Sequence, residues 1–554
     1  MTKLQLGFYV CRLMPGLPAP VYQKQTTFFS FPHAMLKSYP RWVAAALLLH
    51  GCNSSSTGTK TGEATTTASP DKAALGLPHV QPVPLPNPGI PGFTFPEDST
   101  TIDNWVQQRA VRSINLHGWG IWTALTAPTG EVYGPDKLRV FETWHSKAEV
   151  DSLTKAQVAN KLTLDVQALA TTRRPFARHL ERPVQFFHGR DPQQRKRLAH
   201  SMAQLAPADT PSGIQPVFED VSYSPAAAQT IITRRLFMPS VLDAMLAAKR
   251  TDIPDFPKDA IAIKPVYEVI PGPNNKRGGG LYKMRVWTQM PASQVKLPRA
   301  FDQDKWSSWV YVDPTNQGKG HGQVYTGAAG PRTQAEGTYN LNDFVHHTLT
   351  AYEAGLLNPG GSAQGAQAGD YAILVAMHIT SREIQRWTWQ TVWWAPDPDH
   401  APAPSSAAVV AARPRQLTGA PRHYAMSIAY QMLDPVQPYT GGTNQGQPVY
   451  AFNPYLEAGF NNRFGGPTVA PPGLVRTPLG LVSDSVGTQT NCMTCHAQAN
   501  YSAATDNSAP GYQANTYIDM KGPQFKGRLK VDFLWSVADM AESNRSQLQA
   551  LTKK

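Results

Sequence analysis

The sequence predicts an α+β fold: a large antiparallel β-rich body over residues 95 to 482, closed by a small helical segment over residues 483 to 554. Three observations predict it. Apolar and β-branched runs recur between residues 260 and 432, bounded by turn-forming residues, as strands are. Helical spacing is confined to a few short stretches and to the end of the chain. Glycine (42) and proline (49) are abundant and only 16% of residues are charged, which fits a loop-rich globular chain rather than a coiled coil or a charged disordered one.

Residues 1 to 34 carry no targeting logic of their own and are read as lying upstream of the true start. Residues 35 to 51 give a basic start with Lys37 and Arg41, then an apolar run from Trp42 to Leu49 that is far below the roughly 20 residues of a membrane span. That is the pattern of a secretory signal. Its ending, Leu49-His50-Gly51-Cys52, resembles the lipobox of bacterial lipoproteins, although histidine is a less usual occupant of that box. The resemblance implies that Cys52 is lipidated and that a membrane is reached through this anchor. Residues 52 to 94 are Ser/Thr-rich and then proline-rich, which predicts a flexible and then an extended tether.

In the body, Asp103 to Ile114 reads as a short helix. Gly118 to Thr126 and Arg139 to Trp144 read as paired strands around a Pro/Gly turn. Ala226 to Lys249 has the apolar spacing of a helix, with Pro239 marking a break. Strands are expected at Ala260 to Ile270, Gly280 to Met290, Trp306 to Val312, Tyr371 to Thr380, Arg386 to Trp394 and Tyr424 to Met432. In the fifth of these, alternation puts Trp387, Trp389, Thr391 and Trp393 on one face. Packing is the favoured reading of these tryptophans, and a platform for a ligand is the other.

The formal charge is +12; residues 1 to 51 hold five basic residues and no acid, so the remainder is 46 against 39, or +7. The one dense basic cluster, Arg173 to Arg197, contains eight Lys or Arg and reads as a solvated helical face rather than a docking patch. Nucleic-acid binding is therefore not expected. The four cysteines, Cys11, Cys52, Cys492 and Cys495, provide no disulfide framework.

The strongest chemical signal is Cys492-Met493-Thr494-Cys495-His496. With 4 cysteines and 15 histidines in 554 residues, the pattern arises by accident in about one chain in a thousand. Its spacing suits one covalent haem c, with Cys492 and Cys495 bonded to the two vinyl groups and His496 beneath the iron. Structural zinc competes poorly because it requires four ligands. A thiol oxidoreductase competes poorly because a thioredoxin-like fold needs βαβ architecture on both sides of the motif, and 58 residues remain after it.

A Trp-x-Trp strand ahead of one late Cys-x-x-Cys-His resembles bacterial c-type cytochrome proteins, over roughly residues 370 to 500. The stretch Tyr517 to Pro523, followed by Val531 to Ala538, is similar to the ligand loop and closing helix of a small cytochrome c. The resemblance implies Met520 as distal iron ligand, although its interval of 24 residues from His496 is short for a complete cytochrome c domain. Met540 reads as core, and His378, His346 and His347 are the other candidates to reach the iron. The resulting expectation is a monohaem electron-transfer lipoprotein of the bacterial cell envelope, periplasm-facing or surface-exposed, with a redox partner protein. The alternatives are a haem enzyme of peroxidase or oxygenase type, with His378, Arg382 and Glu383 as pocket candidates, or a surface binding module built on the tryptophans.

Overall fold

Long runs of alternating and β-branched residues from Ile261 onward form the sheet on which the molecule is built. In the computed structural model the described residues are 77–159, 172–181, 217–458 and 490–552, apart from short gaps, with the hairpin Leu474–Thr477/Gly480–Ser483. Cys11, Cys52, the signal and the first part of the tether lie outside the described residues. All described residues belong to one compact unit.

The central sheet has eight strands: β1 (His145–Ser146), β2 (Val217–Glu219), β3 (Ser222–Tyr223), β4 (Ile261–Ile270), β5 (His346–Thr348), β6 (Tyr371–Ser381), β7 (Thr388–Trp394) and β8 (Tyr424–Ala429). Its order is β8-β7-β6-β4-β3-β1, with β5 paired to β6 and β2 to β4, and each of these pairings is antiparallel. The fold is therefore mixed α+β with an antiparallel main sheet. Four of the expected strands are β4, β6, β7 and β8. The expected strand at Gly280 to Met290 is shorter, Tyr282–Arg285, and joins Ser308–Asp313 in a smaller sheet.

Register decides what each face of the sheet carries. Thr380 lies opposite Ala262 on one side and Trp389 on the other; His378 lies opposite Lys264 and Thr391. Because side chains alternate, these residues share one face, while Ile261, Ile263, Met377, Ile379 and Val392 share the other. The second set feeds the larger core, which also holds Trp119, Trp122 and Trp394.

The helices depart from expectation at two places, since the helix expected over Asp103 to Ile114 is divided at residues 108–110 and a further stretch changes type. Ser99–Gln107 (α1) is capped by Asp98, which accepts from Thr100 and Thr101, and the next helix is Val111–Leu125 (α2). The Gly118 to Thr126 stretch is thus helix rather than strand. Its residues from His117 to Leu125 are all buried, so the aromatic content that suggested a strand belongs to a helix enclosed on every side. Arg139 to Trp144 is likewise not a strand throughout: Val140–Thr143 is a 3₁₀ turn, closed by the Glu142 carboxylate accepting from Arg139 N at 2.8 Å. The hairpin of this region is Pro128–Tyr133 with Asp136–Arg139.

Lys147–Val158 (α3) starts at Ser146, whose Oγ accepts from Glu149 N. Pro225–Arg234 (α4) ends at Arg235 in the left-handed region, and Pro239–Ala247 (α5) starts on the proline expected to break the pattern. From residue 77 the proline-rich run lies on the body rather than standing off it as a tether: Val80, Ile90 and Phe93 are buried and His79–Val80 pairs with Arg174–Pro175. The described part of the basic cluster is not a solvated helical face. Arg174 and Arg178 are buried, paired with Glu149 and with Glu142 and Glu353, in extended chain.

The C-terminal stretch contains the short helix Cys492–Ala497 (α6), a two-stranded ribbon of Asn500–Tyr501 and Leu529–Lys530, and Trp535–Thr552 (α7). It has no core of its own. Met493, Ile518, Phe533 and Val537 share one with Ile231, Leu242, Trp387 and Trp389 of the body.

Candidate functional site

The Cys-x-x-Cys-His motif is held by the backbone around it. Asn491 caps α6, accepting from Thr494 N at 2.8 Å, while its amide donates to the carbonyls of Gln431 (2.9 Å) and Val449 (2.6 Å). Thr494 Oγ1 donates to Thr516 O at 2.8 Å, and Cys492 Sγ lies 3.1 Å from Ala451 O. Neither Cys492 nor Cys495 is in a disulfide. Burial pushes the Cys492 thiol well above its ordinary range, the opposite of what a thiol-exchange nucleophile needs.

His496 Nδ1 lies 2.8 Å from Phe533 O. A carbonyl only accepts, so Nδ1 carries the proton and Nε2 holds the lone pair of the neutral ring. The carbonyl is presented by an unusual turn, since Asp532 and Phe533 both have positive φ (47° and 67°). Asp532 is fixed by Phe256 N at 3.2 Å and Arg382 Nε at 3.0 Å. Arg382 thus acts through Asp532 on the turn that orients His496. Trp389 packs against the imidazole with ring centroids 4.2 Å apart and a 36° tilt.

Cys492, Cys495 and His496 line one cavity of about 160 Å³ that opens to solvent. The same cavity is lined by the sheet face described above, with Ala262, Lys264, His378, Thr380 and Trp389. Leu534 and Trp535 border it from the start of α7. Charged groups on the wall come in pairs: Lys264 with Glu219 at 2.9 Å, His378 Nε2 with Glu457 Oε1 at 2.8 Å, and Lys147 with Glu181. Burial alone would lower Lys147, but the Glu181 carboxylate beside it outweighs that and raises its pKa.

The other residues singled out from sequence fall elsewhere. Met520 is buried beside a separate small cavity with Lys530, Asp532 and Phe533, and its carbonyl accepts from Lys530 Nζ at 2.7 Å. It is not brought to the large cavity. Met540 packs against the C-terminal core, as expected. His346 Nδ1 donates to Phe344 O, and His347 is fully buried with its ring 5.0 Å from that of Tyr267; neither lines the cavity. Glu383 is buried against His117, at 3.0 Å, and Ser381. Of the three pocket candidates, only His378 is on the wall. Trp387, Trp389, Trp393 and Trp394 are all buried, so they form no solvent-facing platform and the surface-module reading loses its basis.

Sequence reading missed Lys264, Glu219 and Glu457. The available signal was a charge inside a strand that is otherwise apolar, as in Ile261-Ala262-Ile263-Lys264 and Val217-Phe218-Glu219. Among the described residues, no group of three or more His, Cys, Asp or Glu is placed to hold a metal ion unaided. The donor set, two thiols and an oriented imidazole lining one cavity, fits a macrocycle that brings its own four iron ligands. Comparison with protein families, with curated proteins and with solved structures finds no match.

Proposed function

We propose that the chain binds one haem c covalently through Cys492 and Cys495, with His496 as proximal ligand, and works as an electron-transfer protein of the bacterial cell envelope. The observation that carries this reading is the His496 bond to Phe533 O beside two cysteines that line the same cavity. Haem bound there supplies a ferric/ferrous couple. The chain's own part is to orient His496 through Phe533 O, to keep Nδ1 protonated, and to exclude water with Trp389, Leu534 and Trp535. Lipidation at Cys52 would anchor the protein to a membrane, where a redox partner protein exchanges electrons with it. Among the described residues no helix is long and apolar enough to cross a membrane.

A second reading, a haem enzyme, is favoured by one observation: the cavity lined by the motif also carries His378 and Glu457, and Met520 does not line it. Polar groups beside a bound haem would suit ligand activation, whereas a methionine ligand would suit electron transfer alone.

The test is a denaturing gel stained for haem, with oxidised and reduced absorption spectra, on mature protein expressed with haem-attachment machinery. Wild type should retain covalent haem. The Cys492→Ser/Cys495→Ser variant should lose it, and covalent haem kept by that variant overturns the assignment.

A further inference from the structure

We infer that Tyr430 is a one-electron centre in its own right, a tyrosine that gives an electron to a metal-centred one-electron oxidant while its phenolic proton passes to His117. The groups that carry this chemistry lie outside the Cys-x-x-Cys-His motif, and the property holds whether or not haem is bound.

Tyr430 follows β8 directly, and α2 lays His117 against it. His117 Nδ1 lies 2.6 Å from Tyr430 Oη, and its Nε2 lies 3.0 Å from Glu383 Oε1. The Glu383 carboxylate also accepts from Glu97 N at 2.7 Å and from Ser381 Oγ, which in turn meets Thr388 Oγ1. An ionised carboxylate only accepts, so Nε2 carries the ring proton and Nδ1 presents its lone pair to the phenol. The Tyr430 hydroxyl is therefore the donor to His117. Tyr430, His117 and Glu383 are all buried, and none of them lines the cavity beside Cys492.

A proton acceptor shut away from substrates can serve only a group already inside the protein. The carboxylate behind the imidazole stabilises the imidazolium formed when the ring takes a proton, and the proton held against Nδ1 is the phenol's. Burial raises the Tyr430 pKa well above its ordinary range, so the phenol does not ionise alone. Removal of an electron makes the same hydroxyl a strong acid. The O–H bond then breaks, the electron goes to the oxidant and the proton to Nδ1 of His117, leaving a neutral tyrosyl radical and an imidazolium paired with Glu383. A returning electron draws the proton back.

Aromatic neighbours give the electron a way in and out. Trp389, which packs on His496, is paired in register with Ala429, the residue before Tyr430. The half-buried Trp105 has its ring 5.8 Å from that of His117.

The experiment uses the mature full-length protein, with any bound haem kept ferric so that it lends no electron. Flash-generated tris(bipyridine)ruthenium(III) is the oxidant, and the radical is followed by transient absorption and electron paramagnetic resonance. Wild type should give a long-lived tyrosyl radical that forms more slowly in heavy water. The chain has 20 tyrosines, so the assignment rests on Tyr430→Phe, which removes one hydroxyl and should lose most of the signal. His117→Gln should slow radical formation by about a hundredfold, as expected for loss of a general base. The heavy-water comparison needs no variant and reads the same proton transfer in the native chain.

No radical in wild type, or a radical of undiminished size in Tyr430→Phe, overturns the inference. An unchanged rate in heavy water or in His117→Gln overturns it too, because the proton then does not move to the histidine with the electron. Staining for covalent haem is the same in all of these outcomes, so failure here is distinct from failure of the haem reading.

Discussion

At the scale of single residues, the chemistry is set by what stands behind each titratable group. Glu268 is nearly inaccessible and accepts from Tyr282 Oη at 2.5 Å, and burial raises its pKa from 4.5 to about 7. The folded state therefore holds a proton that the unfolded state has already released between those values, so stability falls as pH rises from 4.5 to 7, by of order 3 kcal/mol. Glu268→Gln keeps an acceptor for Tyr282 and has no proton to lose. Urea midpoints measured across that range should decline in wild type and stay flatter in the variant. The residues of the motif were legible in sequence because five consecutive positions carry the signal. His378 was legible only as one histidine among several, since its partner Glu457 and its neighbour Lys264 come from chain segments 79 and 114 residues away. Met520 was suggested by the resemblance of its stretch to a cytochrome c ligand loop, and the fold places it at a separate small cavity beside Lys530 and Phe533.

At the scale of elements, strands declared themselves better than the one enclosed helix. β4, β6, β7 and β8 have lengths and compositions that leave little choice. α2 was hidden because a helix buried on all sides shows no polar face to give its period away. Its Gly120 has a tertiary purpose: a Cβ there would lie 2.1 Å from Phe93 Cδ2. Gly120→Ala gains about 1 kcal/mol of helix propensity but forces the buried Phe93 ring aside, at about 1 to 3 kcal/mol. The clash involves three ring atoms within 2.5 Å, so the overpacking wins and the variant should unfold at lower denaturant than wild type. An equal or higher midpoint would show that Phe93 has room to move.

At the scale of the whole molecule, the expected boundary near residue 482 does not separate two cores. Met493, Phe533 and Val537 pack with Ile231, Leu242 and Trp387, and Asn544 Nδ2 donates to Asp151 Oδ1 at 2.7 Å, tying α7 to α3. The body without residues 483 to 554 should expose that apolar surface, and should bind a hydrophobic dye and lose the cooperative transition seen with the full chain. A truncated body that unfolds as sharply as the parent would restore the two-domain view. The same shared core constrains how the mature protein is made. Cys492 is 8% exposed, and its cavity is closed on one side by a sheet whose strands are all complete before residue 430. Cys492, unlike the half-buried Cys495, is covered in the folded chain and is better reached before the chain closes. Under the proposed haem reading, attachment at Cys492 would precede the closure of the C-terminal stretch over it, so that this stretch folds around its cargo as the final step of assembly.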